Sequence, residues 1–170
     1  MSPETSTTTD THAAATATAT TLDRSKTLLS ELLVKMGLDA EVAAREDEER
    51  VTLEVKGPET SLVIGKKGQT LDAIQYLVNK ITSQGQPEGS GKPVQVDAEG
   101  YRDRRSEVLV ELANKLAEKV RSTGRPCEMD PMSPFERRVV HVALADQPDL
   151  ETRSEGEGIY RHLVIFPKKA

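Results

Sequence analysis

Hydrophobic and polar residues follow two different periods in the first hundred residues of the chain. Apolar residues spaced three and four apart predict helices, and a strict alternation of apolar and polar residues predicts a strand with one buried face. With glycine and proline as breaks, these periods predict helices over residues 22–36, 59–64 and 69–81 and strands over residues 40–45, 51–56 and 94–96. The order αββααβ predicts an α+β domain over residues 22–98.

The remainder of the chain, residues 99–170, predicts two helices and then two strands. The first helix covers residues 101–122, and its length of about 30 Å separates the first domain from the second. The second helix begins at Ser133, where Ser-Pro-Phe-Glu combines an N-cap, a proline in the first helical position and a capping box. Strands over residues 151–155 and 159–166 are separated by Gly-Glu-Gly, which predicts a C-terminal β-hairpin.

The apolar stripes of the four long helices indicate which residues form the cores. In the first domain the stripes consist of Leu28, Leu29, Leu32, Leu33, Met36, Leu71, Ile74, Leu77, Val78 and Ile81. In the second domain they consist of Val108, Leu109, Leu112, Ala113, Leu116, Val120, Phe135, Val139 and Val142. Arg137 and His141, one helical turn apart, are then expected to point away from the core.

Residues 1–21 differ in composition from the rest of the chain. They are rich in Thr, Ala and Ser, and they cannot bury enough apolar surface to offset their chain entropy, which predicts a disordered tail. The tail lacks the basic start and apolar core of a signal peptide. No stretch approaches the roughly 20 apolar residues that span a bilayer, and the single Cys127 excludes an internal disulfide. We therefore expect a cytoplasmic protein that makes no contact with a membrane.

Charge is distributed unevenly along the chain. The formal net charge is −5, whereas nucleic-acid-binding domains are commonly basic. Residues 1–60 contain 6 Lys and Arg and 12 Asp and Glu, whereas residues 61–170 contain 17 and 16. Any binding of nucleic acid should therefore depend on local clusters of cations, and its electrostatic part should be moderate.

A short motif, Gly65-Lys66-Lys67-Gly68, separates the second and third predicted helices. Glycine at both ends allows positive φ and close approach of another backbone, and the lysines supply charge for phosphate. A GxxG loop that clamps a sugar–phosphate backbone is typical of KH domains, which bind single-stranded nucleic acid. The motif alone is a weak signal, since glycine pairs are common in surface turns. The spacing of a P-loop is absent.

Longer segments around these motifs resemble one known family. Residues 63–77, Val-Ile-Gly-Lys-Lys-Gly-Gln-Thr-Leu-Asp-Ala-Ile-Gln-Tyr-Leu, resemble the KH core of the bacterial Jag (SpoIIIJ-associated) family. Residues 130–141 and 152–158 resemble its second domain, which is named for the Arg-x-x-x-His spacing seen at Arg137 and His141. The resemblance implies a type II KH domain, a long helix and a small α/β Arg-x-x-x-His domain that ends in a β-hairpin.

The resemblance also implies a ligand and a set of binding residues. Both domains are expected to bind single-stranded RNA, with single-stranded DNA as an alternative ligand. A guanidinium can donate a forked pair of hydrogen bonds to phosphate, and an imidazole can stack or donate beside it. The expected RNA-binding residues are Ile64, Gly65, Lys66, Lys67, Gly68, Arg137, Arg138, His141 and Arg161. Because a single KH module grips few nucleotides, RNA that reaches both sites should bind more tightly than RNA that reaches one.

Three classes of function fit the sequence to different degrees. The resemblance favours a post-transcriptional regulator that binds RNA and affects growth, division or the cell envelope. The alternative is an interaction protein whose KH domain pairs with another, small KH-domain protein. An enzyme is not expected, because no nucleophile–base pair, paired carboxylates or metal-ligand spacing stands out, and His12, His141 and His162 are far apart in the sequence. No cofactor and no metal is expected.

Two further features bear on these alternatives. Arg102, Arg104 and Arg105 oppose the dipole at the start of the long helix, at a cost of up to about 1 kcal/mol each. They either contribute to binding or are ordinary solvated side chains that Asp103 and Glu107 partly offset. Many members of the Jag family also carry an additional N-terminal domain. Here a Thr/Ala-rich tail occupies that place, so functions that depend on the extra domain, including contacts at the membrane, are not expected.

Overall fold

The computed structural model describes residues 20–84 and 91–168. The predicted disordered tail up to residue 19, and residues 85–90 of the predicted loop before the third strand, lie outside this part of the chain. Within it, no helix combines the length and the apolar character that crossing a membrane requires.

The described chain divides into two compact units. The first unit contains the described parts of Met1–Glu59 and Ala73–Val96. The second unit contains Thr60–Asp72 and the described part of Asp97–Ala170. The GxxG turn therefore belongs to the same compact unit as the C-terminal helices and strands.

The order αββααβ predicted for the first hundred residues is confirmed. The elements are α1 (Thr21–Lys35), β1 (Glu41–Glu46), β2 (Val51–Lys56), α2 (Thr60–Ile64), α3 (Gln69–Thr82) and β3 (Val94–Ala98). The three strands form one sheet in the order β1-β2-β3, and β1 and β2 are antiparallel. Every observed boundary lies within two residues of the predicted one, because glycine, proline and the change of period mark each break locally.

The turn between β1 and β2 is closed by a side chain. The carboxylate of Asp47 accepts hydrogen bonds from the backbone N–H groups of Glu49 and Arg50, at 2.8 and 2.9 Å. The bond from Arg50 and then that from Glu49 hold the pKa of Asp47 below its usual range. The acidic run after β1 thus forms the turn that the sequence predicted.

The core of the first unit is narrower than the predicted stripes. It contains Leu29, Leu33, Val51, Leu53, Val55, Ile74, Val78, Val94 and Val96, all buried. The prediction was wrong for Met36, Leu77 and Ile81, whose exposed fractions are 43%, 44% and 43%. The apolar period therefore located the buried helices but overestimated the width of their buried faces.

Polar side chains of α3 explain why its buried face is displaced. The amide of Asn79 accepts a hydrogen bond from the N–H of Val94 (2.8 Å) and donates one to the C=O of the same residue (2.6 Å). The Gln75 side chain accepts a hydrogen bond from the N–H of Val96 at 3.0 Å. These bonds turn one side of α3 toward β3, and Leu77 lies outside that side.

The second unit contains α2, the GxxG turn, the start of α3 and all the C-terminal elements. The latter are α4 (Tyr101–Thr123), β4 (Cys127–Glu128), α5 (Pro134–Leu144), β5 (Leu150–Glu155) and β6 (His162–Pro167). The strands form an antiparallel sheet in the order β4-β6-β5. The two-residue strand β4 was not predicted, because a segment so short carries no period.

The C-terminal hairpin is confirmed, but its loop is longer than predicted. β6 begins at His162 and not at residue 159, because a 3₁₀ turn over Gly158–Tyr160 follows β5. Strands β5 and β6 pair from Leu150 opposite Pro167 to Glu155 opposite His162. The loop thus carries three large side chains, those of residues 159–161, outside the sheet.

The core of the second unit also differs from the predicted stripes. It contains Leu109, Ala113, Ala117, Val120, Met129, Val140, Leu144, Leu150, Leu163 and Ile165. The prediction was wrong for Val108, Leu112, Phe135 and Val142, which are between 41% and 60% exposed. In α4, the fully buried alanines allow close packing against α5 and the sheet, which larger residues at these positions would prevent.

Glu136 decides which face of α5 is buried. One carboxylate oxygen accepts a hydrogen bond from the N–H of Ser133 at 2.8 Å, and the Ser133 hydroxyl accepts one from the N–H of Glu136, which confirms the predicted capping box. The other oxygen accepts a hydrogen bond from Nε of Arg105 at 2.7 Å. Glu136 is buried with Val140 and Leu144, so Phe135 is left on the exposed side.

The far end of α4 is attached to the segment that comes after α5. The Arg121 guanidinium donates hydrogen bonds to Asp149 (2.5 Å), Gln147 (2.7 Å) and Glu118 (2.6 Å). The bond from Arg121 holds the pKa of Asp149 below its usual range. Polar contacts therefore hold α5 and its following segment to α4 at both ends.

The arginines at the start of α4 have partners within the second unit. Arg102 forms an ion pair with Asp72 at 2.9 Å, Arg104 donates to the C=O of Glu99, and Arg105 binds Glu136. The side chains of Arg102 and Arg105 thus join α4 to the start of α3 and to α5, which supports a structural role for these residues.

We predict that Glu136→Gln lowers the free energy of unfolding by about 1–3 kcal/mol, because the amide leaves the guanidinium of Arg105 without its carboxylate. Thermal and urea denaturation would measure the loss. The matched control is Glu111→Gln on α4, whose carboxylate is exposed and 4.0 Å from Lys115, and which should change the stability by less than about 0.5 kcal/mol. Equal effects of the two substitutions would contradict this role for Glu136.

Candidate nucleic-acid interface

The GxxG turn is built from backbone conformations that favour glycine. Gly65 and Gly68 have φ angles of 66° and 79°, and Lys67 between them is also left-handed, with φ 52° and ψ 33°. A Cβ atom on Gly65 would collide with the side chain of Thr70, and one on Gly68 would lie 2.8 Å from a ring carbon of Tyr101. Both glycines are therefore needed for this turn.

The two lysines of the turn are in different environments. Lys67 Nζ lies 2.7 Å from Oδ2 of Asp130. The hydrogen bond from Lys67 and then its charge hold the pKa of Asp130 below its usual range. Lys66 is exposed at the tip of the turn and forms no ion pair with any described residue. Since the pair at Lys67 is exposed to solvent, it is weak, and an incoming anion can compete with Asp130 for the lysine.

A groove of about 600 Å³ begins at this turn. It lies entirely within the second unit and is bordered by three short segments: the turn and the start of α3, the chain that enters α5, and the loop between β5 and β6. Its lining residues are Lys67, Gln69, Asp72, Pro131, Met132, Ser133, Pro134, Glu136, Arg137, Gly158, Ile159 and Arg161. The groove thus brings one lysine of the GxxG turn together with two of the predicted arginines.

Arg137 and Arg161 are cations of this groove that lack an acidic partner among the described residues. Arg137 is half-buried, and its only side-chain hydrogen bond in this part of the chain is to the C=O of Met132, at 2.9 Å. Burial, and then the positive charge of Arg161, lower the pKa of Arg137. The Arg161 side chain likewise makes no ion pair with a residue that the structure describes.

The carboxylates of the groove are already engaged. Asp72 is paired with Arg102, and Glu136 with Arg105 and the start of α5. Two guanidinium groups that repel each other, one of them partly removed from water, are therefore left facing the groove. An anion between them would relieve the repulsion and accept forked hydrogen bonds, which is the geometry that phosphate allows.

The remaining predicted binding residues lie outside the groove. Ile64 is the half-buried last residue of α2, and Arg138 is exposed on α5. His141 is exposed, and its Nδ1 shares a hydrogen bond of 2.5 Å with the hydroxyl of Thr152 on β5. Arg137 and His141 therefore do not face one ligand position together, because Arg137 lines the groove and His141 contacts the sheet.

Several groove residues were not identified from the sequence. Gln69, Met132 and Ile159 belong to segments that are far apart in the chain, and no local period indicates that they meet. An isoleucine directly after a glycine-rich turn was a weak signal, since the predicted strand begins at that residue. Among the described residues, no group of three or more His, Cys, Asp and Glu is positioned to hold a metal ion.

Two family models match the chain in the order that the sequence predicted. The model described as "KhpA/KhpB, KH domain" matches residues 26–97, and the model of the Arg-x-x-x-His domain matches residues 107–167. The first match contains the GxxG turn, and the second contains Arg137, His141 and Arg161.

Curated relatives match both domains together. The chain is 39% identical over 136 residues to "RNA-binding protein KhpB" of Clostridium symbiosum, which covers 80% of this chain and 60% of the relative. It is 35% identical over 150 residues to the protein of the same name from Bacillus subtilis (strain 168), covering 87% of this chain and 71% of the relative. A third such protein, from Lactiplantibacillus plantarum, is 33% identical over 84% of this chain and 42% of its own length, so the chain spans only part of the length of these relatives. Two domain matches in the expected order, and a relative matched over most of its own length, show that this chain belongs to the KhpB/Jag family of proteins with a KH domain and an Arg-x-x-x-His domain.

Proposed function

We propose that the chain binds single-stranded RNA in the groove between the GxxG turn and the start of α5. The observation that carries this proposal is the pair of arginines, Arg137 and Arg161, which face the groove without a carboxylate partner among the described residues. The relatives are named RNA-binding proteins, which supports the same ligand.

In the proposed complex, one phosphate lies between the guanidinium groups of Arg137 and Arg161. The neighbouring phosphates along the strand lie over the GxxG turn, where Lys67 exchanges Asp130 for phosphate and Lys66 provides a second charge. The backbone at Gly65 and Gly68 is open to close approach by the sugar–phosphate chain. The two predicted sites thus act on one strand, and a strand too short to reach both binds more weakly.

We infer that the protein acts by binding alone, as a post-transcriptional regulator without catalytic activity. The described residues provide cations and apolar side chains around the groove, and the groove carboxylates are held in ion pairs. Cys127 is a free thiol, which fits the reducing cytoplasm as the place where RNA is bound.

We predict that Arg161→Ala and Arg137→Ala each weaken RNA binding about tenfold or more, because each removes a charge-assisted hydrogen bond to phosphate. Fluorescence anisotropy with an unstructured RNA would measure this, with melting temperatures as a check on folding. Arg138→Ala is the matched control, since Arg138 lies on the same helix with the same charge but outside the groove.

An equal loss for Arg138→Ala and Arg137→Ala would show that the general charge of α5, and not the groove, binds RNA. Competition with DNA of the same sequence would establish whether the ribose hydroxyl contributes.

We also predict that replacing Lys66 and Lys67 together by Gln weakens binding of a long RNA. The slope of log K against log salt should fall by up to about 0.7 for each phosphate that the lysines no longer neutralise. The control is the same change at Lys115 and Lys119, which are exposed on α4 and outside the groove. A slope that falls equally in both variants would contradict a specific role for the turn.

A second candidate function is pairing with another KH-domain protein, and the exposed side of α3 favours it. Leu77 and Ile81, one helical turn apart in the first unit, are 44% and 43% exposed, and Tyr76 beside them is 65% exposed. The KH family model is described by the names of two proteins, KhpA and KhpB. We propose that α3 binds a small KH-domain protein of the same cell.

Light scattering after size exclusion tests this pairing. The parent chain mixed with the purified small KH protein should elute with the mass of a heterodimer. Leu77→Lys with Ile81→Lys should give two separate monomers, because two charges would be buried in the interface. Arg137→Ala should leave the complex intact. No complex with the parent chain, or one that the lysines do not disrupt, would contradict the proposal.

A further inference from the structure

Ile159 is an apolar side chain in an unusual position. Its exposed fraction is 80%, although large aliphatic residues are commonly buried. It lies on the 3₁₀ turn between β5 and β6, where the N–H of Tyr160 donates to the C=O of Glu157 at 3.1 Å. The turn thus holds an isoleucine in solvent on an ordered backbone.

The same turn is attached to the opposite border of the groove. The N–H of Met132 donates to the C=O of Arg161 at 3.2 Å, and the N–H of Met129 donates to the C=O of Leu163 at 2.9 Å. These bonds hold Ile159 and Arg161 at a constant distance from Met132, which also lines the groove. Apolar and cationic side chains are therefore presented to the groove from one connected backbone.

We propose that Ile159, with Met132, forms a nucleobase subsite beside the phosphate position at Arg137 and Arg161. This inference rests on the RNA binding proposed above and deepens it. A nucleotide carries a negative phosphate and a flat base with two apolar faces, and the groove offers the complement of each part. The occupant is one unpaired nucleotide of a single strand, because in a duplex both faces of the base are already stacked.

The subsite has a defined chemical preference. An aliphatic side chain contacts the face of any base, so the contact is tolerant of base sequence. Among the residues that line the groove, the Gln69 amide can bond a base edge, and it can both donate and accept. The subsite therefore distinguishes an unpaired base from no base more strongly than it distinguishes one base from another.

The test compares a uridine oligonucleotide with an abasic oligonucleotide of the same length and charge. The parent chain should bind the uridine oligonucleotide more tightly. Ile159→Ser should weaken that binding by roughly five- to tenfold, the change expected for partial burial of one isoleucine, and leave the abasic oligonucleotide unaffected. Ile159→Trp should strengthen binding of the uridine oligonucleotide alone, because an indole provides a larger stacking surface.

The control variant is Val142→Ser, which removes another exposed apolar side chain of the second unit outside the groove and should change neither affinity. Arg161→Ala separates this inference from the proposed function, since it should weaken both oligonucleotides. If Arg161→Ala weakens both and Ile159→Ser changes neither or both equally, the subsite is wrong and the phosphate site stands. If Arg161→Ala changes neither, the proposed function fails and the subsite fails with it.

Discussion

The carboxylate of Glu136 is the interaction on which the functional unit depends. It caps α5 through the N–H of Ser133 and binds Arg105 of α4 at 2.7 Å, so it sets both where α5 begins and how it lies on α4. The next residue, Arg137, is thereby placed in the groove, half-buried and bonded to the C=O of Met132. A buried acid at the first turn of a helix thus positions the cation beside it.

The charges of the groove follow from how the acids are used. The chain as a whole has a net charge of −5, so long-range attraction of nucleic acid is weak. Within the second unit, Asp72 and Glu136 bind arginines of α4, whereas Arg137 and Arg161 are left without acidic partners among the described residues. An excess of local positive charge is therefore present in a protein that is acidic overall. Lys67 adds a third cation that is held by Asp130 and can be exchanged.

A hydrophobic period resolves the position of an element better than it resolves the buried face. The period located all the long helices and most strands, because each break is marked by glycine, proline or a change of period. It assigned Leu77, Leu112 and Phe135 to the core, and these side chains are exposed. In each case polar or small residues determined the buried face: Gln75 and Asn79 in α3, two alanines in α4 and Glu136 in α5. A rule that counts only apolar residues cannot detect such contacts.

By itself, the sequence determined the order of elements, the capped start of α5 and the glycine turn with its two lysines. These features depend on interactions between residues a few positions apart, which local residue types specify. Only the tertiary structure decided that the turn shares a groove with Arg137 and Arg161, and that His141 contacts Thr152 instead of joining them. It also decided that the arginines at the start of α4 hold elements together and that the isoleucine of the hairpin loop is exposed. These outcomes depend on contacts between segments that are far apart in the chain, and no local pattern encodes which of many cations will remain without an acid.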